Sequence, residues 1–148
     1  MNKLFNIGTV IILALSLVVG MLGCAPTRTA VDHNSRGMEL YVEGKYEKSI
    51  AEFTRAIKLD PNYADAYSNR GGAYAATEQY DLAIADYNKA IELDSENASV
   101  YVYRGWAYFD KGQYDRAIPD YNRAIELDPE DARTYHWRGV AYAAIEQY

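Results

Sequence analysis

Two patterns of apolar and polar residues divide the chain. From Leu4 to Thr27 no side chain is charged, and Val10-Ile11-Ile12-Leu13-Ala14-Leu15-Ser16-Leu17-Val18-Val19 is almost unbroken hydrocarbon. From Ala30 onward the apolar residues instead recur at helical spacing. Tyr101, Arg104, Gly105 and Tyr108 share one face of a first helix. Gly112-Gln113-Tyr114-Asp115 breaks it, with Gly112 suited to the turn and Asp115 to an N-cap. Ala117, Ile118, Tyr121, Ala124, Ile125 and Leu127 give the stripe of a second helix, which Asp128-Pro129 ends because a residue before proline disfavours helical dihedrals. Pro119 falls in the first turn or two of that helix, where a lost hydrogen bond costs less than in the middle.

This pair of helices is one copy of a unit with a period of 34 residues. Tyr46, Tyr80, Tyr114 and Tyr148 keep that step, as do Tyr67, Tyr101 and Tyr135, and Tyr74, Tyr108 and Tyr142. Gly37, Gly71, Gly105 and Gly139 keep it too, each preceded by arginine: Arg36, Arg70, Arg104 and Arg138. Phe53, Tyr87 and Tyr121 form a further column, and Ala56, Ala90 and Ala124 another. Gly105 and Ala117 are expected to let the two helices approach, with Tyr108 and Tyr121 filling the space beside them. The fourth copy stops where its second helix should begin, although Tyr135-His136-Trp137-Arg138-Gly139-Val140-Ala141-Tyr142 reads as an internal helix rather than a polar cap. Three explanations stand: an imperfect cap, self-association through the uncapped helix, or a fragment of a longer array, which we favour.

Arg-Gly-x-x-Tyr, then Ala nine residues after that Tyr, an aromatic four later, Ala three later and Pro five later resembles the tetratricopeptide repeat, also at its period. The likeness runs from Ala30 to Tyr148. Leu40 in place of the helix-A tyrosine, Ser49 in place of alanine and Ser95 in place of the terminal proline are its departures. The resemblance implies an all-α fold, a right-handed α-solenoid of antiparallel helix pairs whose concave groove binds a protein or peptide. The copies are placed at residues 30–63, 64–97 and 98–131, with a partial fourth at 132–148.

The N-terminal segment resembles a bacterial lipoprotein signal, in which a cysteine after a small residue is lipidated and becomes the new N-terminus. Residues 1–23 would be the signal, and Cys24, preceded by Gly23, the lipidated residue. Met21 and Leu22 are less usual there, and an uncleaved transmembrane anchor is the competing reading, since about 20 apolar residues can cross a bilayer. Both readings keep Lys3 inside and place the rest of the chain outside the cytoplasm. Residues 24–32 then form the lipidated cysteine and a tether, whose eight residues from Ala25 to Asp32 reach about 25 to 30 Å. Ala25 after Cys24, rather than Asp, resembles lipoproteins sorted to the outer membrane of Gram-negative bacteria.

Composition narrows the chemistry. Twenty-one acidic against 15 basic residues, a formal charge of -6, argue against a nucleic-acid partner. A single cysteine forms no intramolecular disulfide and no cysteine-based zinc site. His33 and His136 lie in different copies without metal-ligand spacing, Gly71-Gly72 follows no strand and is no phosphate loop, and Asn97-Ala98-Ser99 starts a helix. Asp60, Asp94 and Asp128 recur at helix ends and read as caps. No catalytic constellation and no cofactor is implied.

Function is then expected where the copies differ. On the helix-A face the trios are Asn34, Met38, Tyr41; Ser68, Gly72, Ala75; Val102, Trp106, Phe109; and His136, Val140, Ala143. The second trio is small between large neighbours, so a notch is expected over Ser68, Gly72 and Ala75. Its walls would be Met38 and Tyr41 on one side and Trp106 and Phe109 on the other, with Tyr103 and Trp137 at the edge. Such a groove suits a hydrophobic side chain or helix of a partner protein, with Trp106 its main anchor. Some relatives grip a C-terminal carboxylate of chaperones with lysine and asparagine side chains; here the face offers Asn69 but no lysine, with Ser99 and Tyr103 where basic residues would be needed. The expected role is a membrane-anchored, non-catalytic adaptor in an envelope complex. The rival is the N-terminal part of a larger protein with a downstream effector domain.

Overall fold

The computed structural model describes residues 28–146, so Cys24 and the preceding segment lie outside the described residues. Seven helices follow one another: α1 (Ala30–Val42), α2 (Tyr46–Leu59), α3 (Ala64–Ala76), α4 (Tyr80–Leu93), α5 (Ala98–Asp110), α6 (Tyr114–Leu127) and α7 (Ala132–Glu146). Among the described residues there is no strand. α1 with α2, α3 with α4 and α5 with α6 form the antiparallel pairs, and each pair packs on the next. α1 also touches α3, and α3 touches α5, so the odd-numbered helices make a continuous layer. The result is an α-solenoid.

The turn inside each pair is set by one residue with left-handed dihedrals: Gly44 (φ 73°), Glu78 (φ 61°) and Gly112 (φ 72°), spaced by the repeat. Two backbone bonds close each turn. At the third, the Gly112 amide donates to Phe109 at 2.8 Å and the Gln113 amide to Tyr108 at 2.9 Å. Glycine takes this conformation freely; Glu78 takes it at a cost of about 1 kcal/mol. Because Gln113 already serves as the N-cap, Asp115 is not the cap the sequence suggested but sits in the first turn, where its charge meets the helix dipole. Asp60, Asp94 and Asp128 end their helices, and each side chain accepts a bond from the amide two residues on, at 3.0, 3.1 and 3.3 Å.

The pairs close around one ring per copy. A methyl built on Gly37, Gly71 or Gly105 would lie 2.5, 2.8 or 2.6 Å from a ring carbon of Phe53, Tyr87 or Tyr121. Those glycines are absent side chains that rings fill, and Tyr121 and Phe53 are fully buried. Each such ring contributes about 2 kcal/mol of burial. Gly139 has nothing within 4 Å, because among the described residues no second helix pairs with α7.

Candidate functional site

On the layer formed by the odd-numbered helices, the small residues of α3 do leave a notch. It holds about 140 Å³ and is lined by Met38 and Tyr41 from α1, Ser68, Asn69 and Gly72 from α3, Tyr87 from α4 and Tyr103 from α5. Gly72 makes it deep: a methyl there would come no nearer than 3.9 Å to the Tyr87 hydroxyl, which lies below. Burial pushes the Tyr87 phenol well above its ordinary pKa, with the neighbouring Tyr41 and Tyr103 adding to the shift. One rim of the same face is polar. Asn69 donates to Asn34 at 3.0 Å, and Asn34 donates to the Tyr63 hydroxyl at 3.3 Å, tying α3 to α1.

The far wall differs from the sequence expectation. Tyr103 closes the notch, with its ring 6.2 Å from that of Tyr87, while Trp106 and Phe109 turn toward α7. Ala75 packs against the core instead of lining the notch. Val102 is only 8% exposed and lies in a cluster with Tyr101 and Ala124. The cause is directional: a helical side chain covers the turn before it, so Trp106 lies over Val102.

Beyond Tyr103 lies a second opening of about 230 Å³, lined by Trp106, Phe109, Asp110 and Trp137. Trp137 meets Trp106 at 5.7 Å and Phe109 at 6.0 Å, edge to face at 69° in both cases. The Tyr103 ring is 5.6 Å from Trp106, so rings run without a gap from notch to cleft. The indole nitrogen of Trp106 is buried, which leaves carbon and π surface facing the opening. His136 is exposed and touches only the edge of Trp137 within this group, at 5.7 Å.

Three features were not anticipated from sequence. Tyr87 belongs to the notch although its column is a packing column. Asp110 belongs to the cleft, and the signal was available: its column otherwise holds Val42, Ala76 and Ala144. Two members of the arginine column make partly buried, two-pronged ion pairs with the carboxylate 16 residues on. Arg70 grips Asp86 at 2.7 and 2.8 Å, and Arg104 grips Asp120 at 2.8 and 2.6 Å. These bonds raise the pKa of both arginines. A third nitrogen reaches the preceding copy, from Arg70 to Thr54, Arg104 to Asn88 and Arg138 to Asn122, at 3.1, 2.7 and 2.9 Å. In the first copy Glu52 is held by His33, at 2.6 Å, and by Arg55 instead. His33 therefore has a structural partner. Among the described residues, no group of three His, Cys, Asp or Glu side chains converges as a metal site.

Comparison with known proteins agrees with this architecture. A family model described as a TPR repeat matches residues 37–78 and 105–146, and models described as tetratricopeptide repeat match 64–97 and 86–118. The first TPR of Spaghetti (RPAP3), solved with the HSP90 peptide SRMEEVD, is 26% identical with a TM-score of 0.78, covering 80% of this chain and 94% of that one. The second TPR domain of human RPAP3, solved with the HSP70 peptide SGPTIEEVD, is 29% identical with a TM-score of 0.74, over 76% and 94%. A 42-residue stretch is 43% identical to the tetratricopeptide repeat domain-containing protein PYG7, chloroplastic, of Arabidopsis thaliana; it spans 28% of this chain but 14% of that protein.

Proposed function

We propose, from the premise that the chain belongs to the tetratricopeptide repeat family, that it is a non-catalytic adaptor held at a bacterial envelope membrane, binding a partner protein in its groove. The observation that carries the groove reading is the notch over Gly72, built where the copies differ and bordered by continuous aromatic surface. Peptide binding by the two RPAP3 domains supports the general mode. Their peptides end in acidic residues, whereas this groove offers Asn69 without a lysine and has Tyr103 in the wall. An apolar partner segment suits it better. Its side chain would enter beside Met38 and Tyr103, both 40% exposed, and pack on rings that lose little conformational freedom on binding.

Anchoring rests on Cys24 and the uncharged run before it. Because α1 already begins at Ala30, the tether shortens to the five residues from Ala25 to Thr29, and lipidation at Cys24 would hold the acidic solenoid within about 18 Å of the membrane through acyl chains rather than charge. An outer-membrane location is favoured if the source is Gram-negative. The uncovered face of α7, with Tyr135, Tyr142 and Ile145 exposed and open space at Gly139, supports a second reading. In it a further helix of a longer tetratricopeptide protein, or a second copy of the chain, packs there.

Mass spectrometry of the membrane fraction should find an acylated Cys24; an unmodified cysteine contradicts the lipid anchor. Photocrosslinkers at Met38 or Tyr103 should capture one partner in membranes, with the exposed Ala85 of α4 as the silent control. Trp106→Ala should weaken that capture at least tenfold while circular dichroism shows the helices retained. Equal capture from groove and control sites contradicts the groove reading.

A further inference from the structure

The notch and the cleft are unlike in charge. The residues that line the notch are all neutral, whereas the cleft carries Asp110 at its exposed lip, in a column otherwise filled by Val42, Ala76 and Ala144. No hydrogen bond or ion pair reaches this carboxylate among the described residues, and burial raises its pKa above the ordinary value. The bases that follow it in the chain are engaged elsewhere: Lys111 pairs with Asp81 of the preceding copy, and Arg116 lies over the Tyr108 ring at 4.3 Å. Beside the unpaired carboxylate stand three aromatic rings, Trp106, Phe109 and Trp137, around one opening. Ring faces attract cations, tryptophan most strongly, and more so where water is partly excluded. A formal charge of -6 also favours the approach of a basic segment over an acidic one.

We propose that the cleft between α5 and α7 receives a lysine or arginine side chain of a polypeptide partner, held over the faces of Trp106, Phe109 and Trp137 and neutralised by Asp110. Such a contact presupposes the groove reading above and fixes the chemistry of one partner residue. With an apolar residue in the notch and a basic one in the cleft, Tyr103 would separate the two on the partner as it separates the openings here. The partner would therefore carry the opposite charge to the acidic peptides of the RPAP3 domains.

The chain has two tryptophans, and both line this cleft, so intrinsic fluorescence reports on it directly. The full chain in an uncharged detergent should give a saturable millimolar response to choline and to N-acetylarginine amide. Neutral 3,3-dimethylbutanol, which has the shape of choline without its charge, should give at least a fivefold weaker one. Asp110→Asn should weaken choline binding at least threefold and leave the dimethylbutanol response unchanged. Equal responses to choline and dimethylbutanol would overturn the cation site while leaving an apolar groove in place, and so would a choline response that Asp110→Asn does not alter. No saturable response to any cation also overturns it. Crosslinking from Met38 is independent of these outcomes, so failure of the groove reading itself would be seen separately.

Discussion

A methyl group built on Gly71 would lie 2.8 Å from a ring carbon of Tyr87 and 3.2 Å from the Ala83 carbonyl oxygen; one built on Gly72, the next residue of α3, would meet nothing nearer than 3.9 Å. The two glycines face different regions. Gly71 looks into the seam between α3 and α4, where the 34-residue columns repeat because each pair must close around a ring. Gly72 looks into the groove, where the same column holds Met38, Trp106 and Val140. Glycine in the seam is required by packing. Glycine in the groove is not, and inside a helix it costs about 1 kcal/mol relative to a good helix former. The seam therefore explains the fold, and the departures on the groove face mark where a partner has room.

The largest effects should come from the seam's ion pairs. Asp120→Ala leaves Arg104 partly buried without its carboxylate and should cost about 3 kcal/mol in a denaturant titration. Arg138→Ala removes the bond to Asn122 and the contact over the Tyr135 ring, with no carboxylate left unpaired, and should cost about 1 kcal/mol. Similar losses for the two would contradict the assignment of Arg104–Asp120 as the stabilising pair. Next in size, Gly105→Ala drives a methyl to 2.6 Å from the Tyr121 ring and should cost about 2 kcal/mol. The same change at Gly139, where nothing lies within 4 Å, should instead stabilise by about 0.5 to 1 kcal/mol. A destabilised Gly139→Ala would mean that the α7 face is already covered in solution.

Helix pairs, turns and the glycine–ring seam were legible in the sequence because each is fixed by spacing that recurs in every copy. Four notch residues, Met38, Tyr41, Ser68 and Gly72, were legible as deviations from that spacing. What escaped was direction. Periodicity places Val102 and Trp106 on one face, but not that the indole leans back over the turn before it and covers Val102. It likewise could not show that Tyr103 reaches Tyr87 while Trp106 turns to Trp137. The Arg104–Asp120 pair was hidden because its partners lie in columns on two helices, and only folding the turn at Gly112 brings them together. Asp110 was overlooked although it breaks an apolar column, since a charge near a helix end reads as ordinary solvation until the rings around it are seen.

The most direct test of the division between seam and groove fills the notch without touching the seam. Gly72→Leu places a side chain where no atom stands closer than 3.9 Å to its Cβ and replaces a poor helix former with a good one. Thermal and denaturant unfolding should show a gain of about 0.8 kcal/mol, while crosslinking of the partner from Met38 should fall at least tenfold. A stabilised variant with undiminished crosslinking would contradict the claim that the groove departures are the binding site.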